Sequence, residues 1–377
     1  MKKSSLMSQA RFNTLVVDAR LIQASGIGTD LQNLLPLLKN KFDLTLIGDP
    51  DVLAKYPWTT DLSIITLKSP IYSVAEQVLL SAKIPSCDYF LSPHFNVPML
   101  PTRAKKRVVI IHDVYHLASS SLPLGQKLYA KLLLQSAVSL SDKVITISEF
   151  SRSEIKKYLR TGDKHIYKIG LGIDHNSYRV SHDKALIQDV RRQYALPADF
   201  VLFVGNVKPH KNLRNLVLAL SILKEKQLLA YKLVIVGKKE GFINGDETLL
   251  QLIDSLGLTD DILFTGYVAN NHLPVIYSLA ALFVFPSLYE GFGLPPLEAM
   301  ASGCPSVVSK AASIPEICQD ACCYFDGKNP DDIAATMQQV LTNNELRESL
   351  TLKGIALARN FNWESAADEL ETIIRTK

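Results

Sequence analysis

The sequence has few cysteines and no long apolar segment. Five of its 377 residues are cysteines, none of them in a Cys-x-x-Cys pair: Cys87, Cys304, Cys318, Cys322 and Cys323. This pattern predicts reduced core residues rather than a disulfide framework. No uninterrupted apolar run reaches the roughly 18–20 residues that span a bilayer. The N-terminal MKKSSLMSQA lacks the apolar stretch of a secretory signal, so we expect a cytoplasmic protein.

Several common ligand motifs are also missing. Neither His-Glu-x-x-His nor another metal-ligand spacing occurs, so no metal site is expected. There is no Gly-Lys-Ser/Thr phosphate loop. The glycine turn Gly26-Ile27-Gly28 has Leu31 where a dinucleotide fingerprint needs its third glycine. This difference argues against an NAD-dependent oxidoreductase.

Charge of either sign is unevenly distributed along the chain. Residues 1–180 carry 23 Lys and Arg against 14 Asp and Glu, whereas residues 181–377 carry 18 against 23. The first part therefore has a net charge of +9 and the second a net charge of −5. The basic part, densest at Arg103–Arg107, could face an anionic acceptor or an anionic membrane surface, or be a solvated face.

Short apolar runs alternate with helix-like segments over the whole length. Five runs in the first half read as strands, at 14–18, 42–47, 89–91, 107–111 and 143–147. Five more follow at 200–204, 232–236, 262–265, 282–285 and 306–309. This alternation is typical of parallel sheets. It predicts two Rossmann-like α/β domains, 1–180 and 181–360, facing each other across a ligand cleft. Residues 361–377 are predicted to form a C-terminal helix that packs back on the first domain.

Two loops in the second half carry charged residues where a strand gives way to a helix. In the first, Gly205 is followed by Lys208 and Lys211, an arrangement typical of phosphate sites. Solvated surface lysines are the alternative. In the second, Glu290 and Glu298 flank a glycine-rich turn after an apolar strand. Each carboxylate could accept hydrogen bonds from ligand hydroxyls, or the two could be structural partners of the helix dipole.

The first half offers two further candidate groups. His112, Asp113 and the nearby His116 follow a predicted strand, where a parallel sheet delivers side chains to its ligand edge. A buried structural histidine is the alternative for His112. Gly26 and Gly28 form a turn before a helix predicted from Thr29, and their backbone amides could approach an anion.

Several segments together resemble one enzyme family over nearly the whole chain. They are GIGTDLQNLL, IHDVYHL, TISEFSRSEI, VGNVKPHKNL, LFTGYV, LFVFPSLYEGFGLPPLEAMASGCPSVVS, ASIPEI and FNWESAA. The chain resembles the GT-B glycosyltransferases of family 4, which are retaining enzymes that use nucleotide sugars. It is most similar to their mannosyltransferase-like branch.

The resemblance implies a role for each matching position. The implied catalytic residues are His112, Glu290 and Lys211, with Glu290 on the transferred sugar and Lys211 on the donor diphosphate. The implied donor-binding residues are Gly26, Gly28, Asn206, Lys208, Lys211, Glu290, Gly291, Phe292, Gly293, Leu294 and Glu298, the last on the ribose. Acceptor-binding residues stay open, with Asp113 and His116 as candidates. Asn206 replaces an arginine that many members have, which Lys208 or Arg152 could compensate.

The implied reaction is transfer of a hexose, best mannose from GDP-mannose, to a saccharide or lipid-linked acceptor during surface polysaccharide synthesis. UDP-linked sugars stay open as donors. A sugar-nucleotide epimerase and a non-catalytic sugar-nucleotide-binding subunit are the alternatives. No cofactor and no metal are expected beside the nucleotide sugar. Peripheral contact with an anionic membrane stays open beside a solvated basic face, and a nucleic-acid partner is not expected.

Overall fold

The computed structural model describes residues 12–120, 122–237 and 247–376. They separate into two compact units. The first extends to Gly170 and takes in the chain again from Trp363, and the second comprises Leu171–Asn362. The boundary expected near residue 180 thus lies between Gly170 and Leu171.

The first unit is built on a seven-stranded sheet in which every pair is parallel. Its strands are β1 (Thr14–Asp18), β2 (Asp43–Gly48), β3 (Ser63–Thr66), β4 (Cys87–Ser92), β5 (Ala104–Ile110), β6 (Lys143–Thr146) and β7 (Ile166–Lys168). Their order across the sheet is β3-β2-β1-β4-β5-β6-β7. The prediction of five strands was wrong because the two edge strands, β3 and β7, are too short to form distinct apolar runs.

Among the described residues of the first unit, six helices lie between these strands. They are α1 (Ser25–Leu38), α2 (Pro50–Leu53), α3 (Val74–Lys83), α4 (Tyr115–Ala118), α5 (Leu124–Leu140) and α6 (Glu149–Tyr158), with a 3₁₀ turn at Pro57–Thr59. The Ser148 side chain caps α6 by accepting a hydrogen bond from Ser151 N. Such a cap satisfies one of the backbone amides that a helix start leaves free.

The C-terminal helix, Trp363–Arg375, belongs to the first unit. Its buried face includes Trp363, Leu370 and Ile374. Lys41 adds ion pairs to Asp368 at 2.6 Å and to Glu371 at 2.8 Å. Because exposed ion pairs contribute at most about 1 kcal/mol, the apolar face is the main source of this attachment.

The second unit contains a six-stranded parallel sheet. Its strands are β8 (Phe200–Val204), β9 (Lys232–Val236), β10 (Ile262–Gly266), β11 (Leu282–Phe285), β12 (Ser306–Ser309) and β13 (Cys323–Phe325), in the order β10-β9-β8-β11-β12-β13. Its helices are α7 (Lys184–Gln193), α8 (Leu213–Glu225), α9 (Glu247–Ser255), α10 (Leu273–Leu279), α11 (Leu294–Ala301), α12 (Ile314–Cys318), α13 (Pro330–Thr342) and α14 (Asn344–Ala358). Short 3₁₀ turns occur at Pro209–Lys211 and Thr259–Asp261.

Both sheets reverse their strand order at one internal position. In the first sheet the reversal lies between β1 and β4, and in the second between β8 and β11. The connections leave the carboxyl ends of these strands in opposite directions, which opens a crevice where α/β proteins bind ligands. The central strands are buried along their length, as a parallel sheet covered on both faces requires.

Two expectations from composition can be compared with the structure. All five cysteines are free, and four of them are buried. Burial raises the pKa of the Cys87 thiol to about 11, which keeps it protonated. Among the helices of the described residues, none has the length and apolarity needed to cross a membrane.

Candidate active site

The loop after β8 is held in a defined shape by Asn212. This residue has a left-handed backbone, with φ of 60°, at the start of α8. Its buried side-chain amide donates to Pro286 O at 3.0 Å and to Gly327 O at 2.6 Å. Leu288 N in turn donates to His210 O at 2.8 Å. These bonds tie the loops after β8 and β11 together, as expected for neighbouring strands at the switch point.

Lys211 and Glu290 meet where these loops join. The Lys211 ammonium lies 2.6 Å from Glu290 Oε1, and the two side chains are only 16% and 13% exposed. Lys211 Nζ also lies 5.4 Å from the centre of the Phe285 ring, within cation–π range. The two residues are 79 positions apart in sequence. The structure therefore places a cation and an anion of the predicted site in direct contact.

The glycine-rich turn after Glu290 is fixed through its backbone. The Ser313 hydroxyl is within hydrogen-bonding distance of Glu290 O at 2.9 Å and of Phe292 O at 2.7 Å. Gly293 precedes α11 with φ of 114°, a conformation that side chains disfavour. Pro295 and Pro296 follow in the first turn of α11 and have no amide hydrogen. Amide donors at this helix start must therefore come from residues 291–294 and 297.

Glu298 lies in α11 beside two tyrosines. Its Oε2 accepts a hydrogen bond from the Tyr277 hydroxyl at 2.9 Å, and Tyr178 also hydrogen-bonds the carboxylate. Burial raises the pKa of Glu298, and the hydrogen bonds from the two phenols act against that rise. Neither tyrosine was identified from the sequence, since nothing in the local pattern connects them to Glu298.

The two remaining polar positions of the first loop are exposed. Asn206 and Lys208 both lie on the surface of the second unit. Arg152, considered as a substitute for the missing arginine, forms an ion pair with Glu149 at 2.5 Å in the first unit. The structure contains no explanation for the asparagine at position 206.

The helix expected from Thr29 in the first unit begins earlier, at Ser25. Gly26 and Gly28 consequently lie within the first turn of α1 rather than in a turn before it. A Cβ atom at Gly28 would lie 2.6 Å from Ile22 O, so this glycine allows close packing of the helix on the preceding loop. A Cβ atom at Gly26 would meet nothing within 4 Å. Of the two, Gly26 is the exposed position.

His112 is paired with an aspartate that the sequence analysis did not identify. His112 Nε2 lies 2.6 Å from Asp30 Oδ2, and Asp30 is 5% exposed. Burial raises the pKa of Asp30, and the hydrogen bond to His112 acts against that rise. A carboxylate partner directs the imidazole proton to Nε2 and leaves Nδ1 as the acceptor. Within the described residues, His112 Nδ1 is buried and has no hydrogen-bond partner.

Asp113 and His116 occupy different environments. Asp113 Oδ1 accepts a hydrogen bond from Tyr115 N at 2.8 Å and so shapes the start of α4. His116 is exposed, and its ring centre lies 5.8 Å from that of Phe95. Across the described ranges, no group of three or more His, Cys, Asp or Glu residues could hold a metal ion.

Two Rossmann-like units, the second with a lysine–glutamate pair at its switch point, are the architecture of a GT-B glycosyltransferase. The glycosyl transferases group 1 model matches residues 188–375. The chain is also 32% identical to O-antigen chain mannosyltransferase B of Escherichia coli over 278 residues, which are 72% of this chain and 70% of that one. The chain belongs to the glycosyl transferases group 1 family and is a glycosyltransferase.

One further relative agrees with this assignment, and one solved structure shares the fold. The serotype-specific mannosyltransferase WbdA of Escherichia coli is 29% identical over 73% of this chain, although the match spans only 33% of that longer relative. Sucrose-phosphate synthase from Thermosynechococcus elongatus has the same fold, with a TM-score of 0.78 at 19% identity over 96% of this chain and 98% of that one.

Proposed function

We propose that the chain transfers mannose from GDP-mannose, with retention of configuration, to a saccharide or lipid-linked acceptor of a surface polysaccharide such as an O-antigen. The observation that carries this proposal is the 32% identity to an O-antigen chain mannosyltransferase, over about 70% of each chain. Sucrose-phosphate synthase shares the fold at 19% identity and informs the architecture alone.

Lys211 is the main positive charge for the donor diphosphate in this proposal. When the sugar leaves, negative charge grows on the phosphate, and a fixed ammonium stabilises it by several kcal/mol in order of magnitude. The backbone amides of Gly291, Phe292, Gly293 and Leu294 and the start of α11 supply further positive potential. Because these groups can neutralise the leaving group, we expect no requirement for a divalent cation, so excess EDTA should leave the rate unchanged.

The two glutamates divide the recognition of donor hydroxyls. Glu290 accepts hydrogen bonds from the mannose, and Glu298 accepts them from the ribose. Asn206 and Lys208 line the remainder of the donor site in the second unit, whereas Gly28 acts through the packing of α1. His112 Nδ1 accepts a hydrogen bond from a hydroxyl of the transferred sugar or of the acceptor, because Nε2 is already bonded to Asp30.

The reaction then follows with retention. The bond between the anomeric carbon and the phosphate oxygen breaks, and the acceptor oxygen forms its bond to that carbon on the same face. The acceptor hydroxyl gives its proton to a departing phosphate oxygen. The products are a mannoside and GDP, and His112 orients a hydroxyl without becoming a nucleophile.

A donor panel tests this function. The purified chain is incubated with octyl α-mannoside and, in turn, GDP-mannose, GDP-fucose, UDP-glucose or UDP-N-acetylglucosamine, and products are identified by mass spectrometry and by NMR of the anomeric proton. We expect an α-mannoside from GDP-mannose alone. At 100 times its dissociation constant, a bound donor should also stabilise the protein by about 2.7 kcal/mol. Transfer only from a UDP sugar, or a β-linked product, would contradict the proposed donor or the proposed retention.

We propose that α5, rather than the basic cluster Arg103–Arg107, contacts an anionic membrane. Within that cluster Lys105 is paired with Asp88 at 2.8 Å, and Arg107 is turned inward to hydrogen-bond Pro98 O. On α5, Leu124, Leu128 and Leu132 are 82%, 69% and 59% exposed and share one face at four-residue spacing. The helix carries two lysines and no acidic residue. An exposed leucine face flanked by lysines complements the surface of an anionic bilayer.

Vesicle flotation tests this contact. The chain should float with phosphatidylglycerol-containing vesicles at low salt, and substitution of Leu124, Leu128 and Leu132 by glutamine should abolish flotation. A control substitution of the exposed Leu352 in the second unit, which is 70% exposed, should have no effect. Equal flotation of the triple variant and the wild type would exclude α5 as the membrane face.

A further inference from the structure

A small cavity lies at the switch point of the first sheet, and none of the positions assigned to the donor is part of its lining. Its lining includes Arg20 after β1 and Ser92, His94 and Asn96 at and after the end of β4. Strands β1 and β4 are the pair between which the strand order reverses. The cavity has room of about 10 Å³, which is enough for a single oxygen-sized group.

The floor of the cavity is a buried charged network. Arg20 contacts Asp18 at 2.6 Å and Glu76 at 2.6 Å, and Asn96 donates to both Glu76 oxygens at 2.8 Å. Glu76 is completely buried, and the Arg20 side chain is 6% exposed. One guanidinium faces two carboxylates, so the local net charge is negative and an anionic ligand is disfavoured.

One hydrogen-bond donor of this network is left over. In the part of the chain that the structure describes, Arg20 Nη1 is buried without a partner, although the other Arg20 nitrogens are engaged. A buried donor is costly when its bond is not made, so such a group is normally satisfied by a water or a ligand. A neutral hydroxyl oxygen fits both the size of the cavity and its charge.

An aromatic ring stands beside the cavity. Tyr72 has φ of 69°, an unusual conformation for a large side chain, and is 48% exposed. Its amide donates to Glu76 Oε2 at 2.5 Å, and its hydroxyl lies 3.3 Å from His94 Nε2. Asn96 N donates to His94 Nδ1, so the proton of neutral His94 resides on Nε2 and is directed to Tyr72. The Tyr72 hydroxyl proton is therefore free for a ligand.

We propose that this cavity and Tyr72 form the acceptor subsite: one hydroxyl of a neutral acceptor sugar accepts a hydrogen bond from Arg20 Nη1, and the sugar ring packs on Tyr72. A residue with a rare backbone conformation that is hydrogen-bonded to a buried charged network is a feature of binding sites. The inference rests on the proposed function, because it names where the saccharide acceptor of that reaction binds.

The test compares three variants in transfer from GDP-mannose to octyl α-mannoside. Tyr72→Ala removes the ring, and Arg20→Lys keeps the charge but removes Nη1. Phe12→Ala is the control: it removes an aromatic side chain that is 58% exposed and precedes β1, at the amino end of the same sheet. We expect the KM for octyl α-mannoside to rise about fivefold in Tyr72→Ala and about tenfold in Arg20→Lys. The KM for GDP-mannose, and its slow hydrolysis without acceptor, should stay at wild-type values.

Ligand-observed NMR measures the binding of octyl α-mannoside to each variant without any turnover. It therefore also gives a result if the Arg20→Lys variant is inactive. Unchanged binding and KM in Tyr72→Ala and Arg20→Lys would overturn the inference and leave a structural water as the occupant. If Tyr72→Ala and Arg20→Lys, but not Phe12→Ala, also lose donor hydrolysis to the same extent, the cavity belongs to the donor site. That result would also overturn the inference. The wild type could fail to use GDP-mannose and still bind octyl α-mannoside through Tyr72. That result would reject the proposed function and leave the acceptor subsite standing.

Discussion

Replacement of Glu290 by glutamine is expected to move GDP affinity and sugar transfer in opposite directions. Glu290 lies 2.6 Å from the Lys211 ammonium and is 13% exposed. In the proposed site a diphosphate contacts the same ammonium, which puts it about 5 Å from the Glu290 carboxylate. Glutamine keeps the shape and an oxygen acceptor for Lys211 but removes the negative charge that opposes the diphosphate.

The size of the expected change in GDP affinity follows from Coulomb's law. Two unit charges about 5 Å apart repel by about 0.8 kcal/mol in water and by about 3 kcal/mol at an effective dielectric constant of about 20. These two limits correspond to roughly fourfold and roughly 150-fold tighter binding of GDP, so we expect the affinity to rise at least about fourfold. Transfer should fall at least about tenfold, because the sugar loses a hydrogen bond to a charged group.

Isothermal titration with GDP and initial rates with GDP-mannose measure the two effects. Lys211→Met should weaken GDP binding and lower transfer at least about tenfold, because it removes the charge that both steps use. Glu345→Gln makes the same charge change at an exposed position of the second unit and should alter neither quantity. If Glu290→Gln weakens GDP binding as Lys211→Met does, the reasoning about competing charges is refuted.

Three other variants test the first unit. Asp30→Asn should lower kcat about tenfold with little change in the KM for GDP-mannose, because His112 loses the partner that directs its proton to Nε2; a kcat and a pH–rate profile equal to those of the wild type would contradict this role. Gly28→Ala should destabilise the protein by about 1–3 kcal/mol through its clash with Ile22 O, as measured by urea unfolding. Gly26→Ala should be at least as stable as the wild type, since alanine favours a helix, but should bind GDP-mannose more weakly if this glycine lines the donor site. Equal stability of the two alanine variants would contradict the packing argument.

Strands that are buried along their whole length were predicted well. Strands β8, β11 and β12 have the predicted bounds, because a central parallel strand forms an uninterrupted apolar run. The edge strands β3 and β7 have four and three residues and were missed. The start of α1 was misplaced because two glycines in its first turn resemble a loop.

The residues that the sequence indicated best are those in loops that follow strands. Lys211 and Glu290 each stand in a motif typical of ligand binding, and the structure brings them into contact. Arg20 and Tyr277 lie in no such motif, and Asp30 lies in the segment GIGTDLQNLL without having been identified as a site residue. Each acquires its place in a site through a partner far away in sequence, as Asp30 does with His112 at a separation of 82 positions. Local pattern cannot reveal such pairs.

The sequence by itself determined the class of the fold, the loops that carry the donor residues and the family resemblance, because apolar periodicity and glycine-rich turns are local properties of the chain. The tertiary structure alone decided which loops are neighbours. Packing orders the strands so that β8 lies beside β11 and β1 beside β4. That order pairs Lys211 with Glu290 and buries Arg20 so that its Nη1 has no partner among the described residues, because charges and hydrogen bonds depend on distances in space rather than along the chain.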